Sequence, residues 1–168
     1  AGERVWEPLS VQPLEGWLLA QWELAVNLGL LPPLMPLDSN QTLELWRQVI
    51  IEQGEQTADF HLLRPDAAAE IASHARDTLC RWQVDMTNRG LRQSFQLDQD
   101  CDTFLQWLAL FERRLNKQRH CTPVDCLTQL LSIAGQLPVA RVVLIEFEDI
   151  TPLVRSVLAS LGANVSRF

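Results

Sequence analysis

The stretch Arg141-Val142-Val143-Leu144-Ile145-Glu146-Phe147-Glu148-Asp149-Ile150-Thr151-Pro152-Leu153 decides how this chain is read. Its first half is a β-branched apolar run without helical spacing, the pattern of a buried strand. Its second half is acidic and ends in Thr151-Pro152, a helix start, because a first-turn residue has no intrahelical partner for an amide hydrogen. A helix over 153–161 is expected, stopped by Gly162, with Ala163-Asn164-Val165 opening a second strand. Strand, loop, capped helix and strand make one α/β unit, whose strands lie parallel and need covering on both faces. The cover comes either from residues 1–135 or from strands outside this chain. The end at Phe168, where a strand begins, and the start at Ala1-Gly2-Glu3-Arg4 without a methionine predict a piece of a longer protein.

Working back toward the N-terminus, helical spacing takes over. Trp17, Leu18, Trp22, Ala25 and Leu28 recur at steps of three and four, predicting a helix over 14–28 that starts after Pro13 and stops at Gly29. The proline-rich connector 30–37 admits no helix. A second helix starts near Ser39, buries Leu43, Trp46, Val49 and Ile50, and is expected to end at Gly54, with 55–59 as a loop. A third follows Arg64-Pro65, with Asp66 in its first turn and Ile71, Ala75, Leu79 and Trp82 as its buried stripe; Ala67 to Ala69 allow a neighbour to approach closely. Periodicity is weak over 83–99, and Asn88-Arg89-Gly90 signals a turn. The clearest helix carries Cys101, Phe104, Leu108, Phe111 and Leu115 on one face, widened by Trp107, with Glu112, Arg113, Asn116 and Lys117 opposite. Thr122, Pro123 and Asp125 then resemble a capping box opening a helix expected to end at Gly135. The fold class expected is mainly α: a helical subdomain over 1–135, then a partial α/β segment over 136–168.

Of the 168 residues, 47% are hydrophobic and 21% charged, which fits a globular chain with a real core. No apolar run approaches the ~20 residues of a membrane span, and the N-terminus lacks the order of a signal peptide. A cytoplasmic protein without a membrane partner is expected. The net charge of −7 means that any contact with nucleic acid must come from a local basic patch. The four cysteines, Cys80, Cys101, Cys121 and Cys126, are dispersed and read as reduced thiols.

Few residue groups carry chemistry. Glu146 and Glu148 alternate onto one side of a strand end, with Asp149 beyond them. They read either as a metal site or as acids favoured by the dipole of the following helix. No lysine follows Asp149 to complete a nuclease centre, and no phosphate loop is present. His120, Cys121 and Cys126 have the wrong spacing for a zinc knuckle, so no metal and no cofactor is expected. Arg113, Arg114, Lys117, Arg119 and His120 form the densest basic cluster. It reads as a phosphate contact or as a solvated helix end that suits the dipole. Trp46, Trp82 and Trp107 fall on or beside apolar stripes and read as packing residues, while Trp6 lies outside any pattern.

The opening stretch resembles motif II of the UvrD/RecB class of DNA helicases, where an apolar strand leads into Asp-Glu-Phe-Gln-Asp and a Ser/Thr/Asn-Pro-Leu helix start. Ile145 falls where the magnesium-binding Asp belongs, Glu146 on the catalytic Glu, Phe147 on Phe, Glu148 on Gln and Asp149 on the final Asp. An isoleucine offers magnesium no oxygen. A degraded motif II is similar to that of AddB-type subunits and related bacterial DNA-repair proteins, where a strand is followed by Gly-Phe-Asp-Glu-Leu-Thr-Pro. Leu14-Glu15-Gly16-Trp17-Leu18, Leu37-Asp38-Ser39-Asn40-Gln41 with Leu45-Trp46-Arg47-Gln48-Val49-Ile50, and Phe104-Leu105-Gln106-Trp107 resemble further blocks of that family, in the right order.

The resemblance implies a non-catalytic scaffold segment of a helicase–nuclease, with residues 1–135 as an inserted helical subdomain. Implied partners are DNA through Arg113, Arg114, Lys117 and Arg119, the remainder of the parent chain, and a helicase partner subunit. A helical protein-interaction module without a nucleic-acid role is the alternative. A working ATPase segment is a third, opposed by Ile145.

Overall fold

The computed structural model describes residues 11–56, 64–133, 135–137, 142–145 and 149–161, and the backbone of 165–167. The chain is mainly helical. In order, α1 is Leu14–Asn27, β1 Met35–Pro36, α2 Ser39–Gln56, α3 Pro65–Arg81, α4 Arg89–Gln96, α5 Gln99–Gln118, β2 His120–Cys121 and α6 Pro123–Leu130. A 3-10 turn, Leu131–Ile133, follows, then β3 Val142–Leu144, α7 Pro152–Ser160 and β4 Val165–Arg167.

Helix α1 ends as a Schellman motif. Leu30 N–H donates to Ala25 O at 2.9 Å and Gly29 N–H to Val26 O at 3.0 Å, satisfying carbonyls that a helix end leaves bare. This requires a left-handed residue, and Gly29 supplies it at φ +73°. The connector then forms β1, parallel to β2 with Met35 opposite His120 and Pro36 opposite Cys121. Met35 N–H reaches Arg119 O at 2.9 Å and Leu37 N–H reaches Cys121 O at 2.8 Å. Pro36 has no amide hydrogen, and in this register none is called for.

Two apolar clusters form the interior. One gathers Leu18, Trp22 and Ala25 of α1, Cys121, Val124, Cys126, Leu127 and Leu130 around α6, Leu144 of β3, and Leu153, Val154, Val157 and Leu158 of α7. A single cluster thus crosses residue 135, and elements from the first 135 residues pack with the β3–α7 unit. The other gathers α2, α3 and α5: Leu45, Trp46, Val49, Ile50, Ala69, Ala72, Leu105, Leu108, Phe111 and Leu115. At its centre Trp46 stacks on Phe111 with ring centroids 4.0 Å apart and planes 7° apart. Burying one such aromatic side chain contributes about 2–3 kcal/mol.

The β3–α7–β4 unit has the predicted order. Val142, Val143 and Leu144 pair in parallel with Val165, Ser166 and Arg167. Pro152 occupies the first turn of α7 with Thr151 before it.

Several expectations need correction. Helix α2 runs past Gly54 to Gln56. Glycine costs about 1 kcal/mol inside a helix, but tertiary contacts hold this last turn: Glu52 pairs with Arg114 of α5, and Gln53 Nε2 donates to Gln106 Oε1 at 3.2 Å. The stripe expected on α3 is wrong at its two ends, while Ala75 and Leu79 between them are half-buried. Ile71 is 70% exposed and Trp82 61%, while Ala69, Ala72 and Arg76 are buried. The inward face lies about one residue's rotation, ~100°, from the apolar stripe, because small alanines admit α2 and a buried ion pair draws Arg76 inward. The segment around Asn88 is no simple turn: the Asn88 side chain accepts from Gly90 and Leu91 N–H and caps α4. Helix α6 stops at Leu130 rather than at Gly135. Gly135, at φ +70°, instead donates its N–H to Ser160 O at 2.7 Å, at the end of α7.

Candidate functional site

The strand-end segment comes first. Leu144 is buried and Ile145 is 58% exposed, at the end of β3. Its side chain carries no oxygen and so offers a cation no ligand. Glu146 and Glu148 lie outside the described residues, and Asp149 is exposed. Thr151 precedes α7 with extended backbone, φ −62° and ψ 153°. Its hydroxyl is buried and makes no hydrogen bond among the described residues. Also among the described residues, no three His, Cys, Asp or Glu side chains converge as a metal site.

The basic cluster at the end of α5 divides in two. Arg114 turns inward to α2 and pairs with Glu52. Arg119 closes the helix in the left-handed conformation, φ 56°, and its guanidinium donates to Pro33 O at 3.4 Å. Both side chains therefore hold the α5 end to other elements. Arg113 and Lys117 are exposed. Their four-residue spacing puts them on one face of α5, with Asn116 also exposed beside them. Arg119 is exposed as well, so three of the four sequence-predicted residues face solvent and only Arg114 is drawn in, at the helix end whose dipole favours cations.

Sequence reasoning missed the most connected polar residue, Arg76. It is 7% exposed and lies between the two apolar clusters. Its Nη1 donates to Thr122 Oγ1 at 3.1 Å and its Nη2 to Asp125 Oδ1 at 2.7 Å. Its guanidinium carbon lies 5.4 Å from the Phe111 ring centroid. Asp125 is at the same time the acid of the expected capping box, accepting from Thr122 N–H at 2.8 Å and from the Thr122 hydroxyl at 2.7 Å. Burial alone would lower the Arg76 pKa, but the charge and hydrogen bond of Asp125 outweigh it and raise the pKa above the ordinary arginine value. This centre fastens α3 to the start of α6. It is structural chemistry, with both charges already matched.

The cysteines and tryptophans also sort out. Cys121 and Cys126 are buried, Cys80 and Cys101 half-buried, and all four are free thiols. Trp46 and Trp107 are buried as expected, Trp22 donates its indole N–H to Gln129 Oε1 at 3.1 Å, and Trp82 is exposed at the end of α3. Trp6 lies outside the described residues. Between α3 and α5 runs an open apolar groove of about 710 Å³, lined by Ala68, Ile71, Ala72, Phe104 and Trp107 among others.

Compared with family models, with curated proteins and with solved structures, the chain has no match.

Proposed function

We propose that this chain is a non-catalytic scaffold segment of a bacterial DNA repair and recombination helicase–nuclease, working in the cytoplasm, where it shapes a DNA channel or holds a partner subunit. The observation that carries the reading is the β3–α7–β4 unit. A parallel strand pair, joined through a Thr151-Pro152 helix start, puts Ile145 at the strand end where a magnesium-binding Asp would be needed for ATP hydrolysis. The blocks that resemble the same family fall on α1, on the entry to α2 and α2 itself, and on α5. The DNA-facing residues in this reading are Arg113 and Lys117, with Arg114 and Arg119 setting the helix end that presents them.

The test is fluorescence anisotropy of labelled single- and double-stranded DNA at low and physiological salt. Binding should weaken as salt rises, because released counterions dominate such affinity. It should weaken, with a flatter salt dependence, when Arg113→Ala and Lys117→Ala are combined. Absence of binding at low salt would remove the DNA contact from the proposal.

A second reading, a helical protein-interaction module, draws support from the groove between α3 and α5. Ile71, 70% exposed, stands at its edge in a wall of small residues. A subunit-docking role needs no basic patch, so a chain that ignores DNA but is retained by its partner subunit would favour this reading.

A further inference from the structure

The start of α6 is held by an unusual pair. With Thr122 as N-cap, Cys121 occupies the position before the cap and Cys126 the fourth helical position. These are the two places where apolar side chains clasp a helix start as a hydrophobic staple. Here both are thiols, buried, with Sγ atoms 3.5 Å apart.

We propose that Cys121 and Cys126 form a reversible redox site, in which a small disulfide oxidant of the glutathione class converts the thiol staple into a covalent one. The geometry carries this. A disulfide needs sulfurs about 2.05 Å apart, so the pair must close by ~1.5 Å, and the capping box keeps the two residues facing each other. The intervening residues already form the helix start, with Asp125 bonded to Thr122 and to Arg76. A cavity of about 270 Å³ lined by Glu112, Asn116, His120, Asp125 and Gln129 reaches Cys121 and gives an oxidant a path.

The two thiols share one contact in which either sulfur can donate. Cys121 lines the cavity and Cys126 lies behind it, so Cys121 is the sulfur an oxidant meets. Cys121 is the attacking sulfur. Its thiolate attacks one sulfur of the oxidant and expels one glutathione thiolate, which takes up a proton. Cys126 then gives up its proton and attacks the Cys121 sulfur, expelling the second glutathione. Two thiols lose two electrons, and one glutathione disulfide becomes two glutathiones. This inference is independent of the DNA-repair reading.

The experiment is a redox titration of the whole chain in glutathione buffers of increasing oxidised fraction, read by peptide mass mapping. It is run folded and again unfolded in urea, and repeated with Cys80→Ser and Cys101→Ser combined. The expected result is an internal disulfide between Cys121 and Cys126, two hydrogens lighter. Its equilibrium constant should be ~10-fold or more higher in the folded chain than in the unfolded one, because the staple geometry supplies the proximity. By linkage, oxidation then favours the folded state by the same factor. A folded chain that keeps both thiols at ratios that oxidise the unfolded chain would overturn the proposal, as would a stable mixed disulfide in place of the internal one.

Discussion

The Arg76 guanidinium lies 2.7 Å from the Asp125 carboxylate, joining helices α3 and α6 across 49 positions of sequence. The Arg76 side chain is 8% exposed and that of Asp125 23%. Removing one partner of a buried pair leaves the other desolvated and unmatched, at roughly 3–5 kcal/mol. Because Asp125 keeps some solvent, Arg76→Ala should lose about 3 kcal/mol of folding stability. Replacing Arg76 with Met and Asp125 with Leu together should lose clearly less than the two single changes added. Urea unfolding of Arg76→Ala and of the natural, Arg76→Met, Asp125→Leu and doubly changed chains checks this, and strict additivity would mean the pair is not coupled.

The two halves of the basic patch should separate experimentally. Arg113→Ala with Lys117→Ala should weaken DNA binding and flatten its salt dependence with little change in the unfolding midpoint. Arg114→Ala should lower stability by up to ~1 kcal/mol, a modest figure because both it and Glu52 are partly solvated. Stability loss from the Arg113 and Lys117 changes would show that these side chains hold structure after all.

Gln83 sits in the left-handed region at φ 52°, closing α3 with its N–H on Cys80 O at 3.0 Å while Val84 N–H reaches Leu79 O at 2.9 Å. This is a Schellman end without the glycine that suits it. Gln83→Gly should relieve backbone strain by ~1 kcal/mol and forfeit an exposed hydrogen bond from Ser156. A small net rise in the urea midpoint is expected. A fall would mean that the Ser156 contact outweighs the strain.

Asp98 caps α5, accepting the Cys101 N–H at 3.0 Å, and that bond holds its carboxyl below the usual aspartate range. Asp85 is lowered in the same direction by the Thr87 hydroxyl and N–H. A depressed folded pKa stabilises at pH above the unfolded value, ~3.9, and that stability is lost as pH falls through the folded value. Thermal midpoints between pH 5 and pH 2 should therefore fall less steeply for Asp98→Asn than for the natural chain. Parallel curves would place the acid sensitivity elsewhere.

What the sequence disclosed followed local chemistry. The Thr122–Asp125 box, the Schellman glycine at 29 and the Thr151-Pro152 start depend on residues within a few positions, and each stands where the pattern put it. Arg76 was invisible because nothing in a charged residue amid alanines says that an acid 49 positions later will draw it inward. The same long-range event rotated α3 and left Ile71 and Trp82 outside. Helix α4 was hard to read because eight residues are too few to display a helical period: Leu91 and Phe95 are half-buried and Phe95 packs against the Trp46–Phe111 cluster, but nothing repeats beyond them. In the candidate site, the basic cluster was legible as a run of like charges. That Arg114 alone turns inward depended on Glu52, from a distant segment.

The bond from Trp22 to Gln129 spans 107 positions, and it has a temporal meaning. Synthesis proceeds at ~5–20 residues per second, so Leu18, Trp22 and Ala25 emerge about 5–20 s before the helix that covers them exists. The nascent chain must carry that bare apolar face through the interval, and α2, α3 and α5 can assemble around Trp46 and Phe111 meanwhile. On the ribosome, α1 is made before α6 and housed late, and its care during those seconds falls to whatever holds nascent chains.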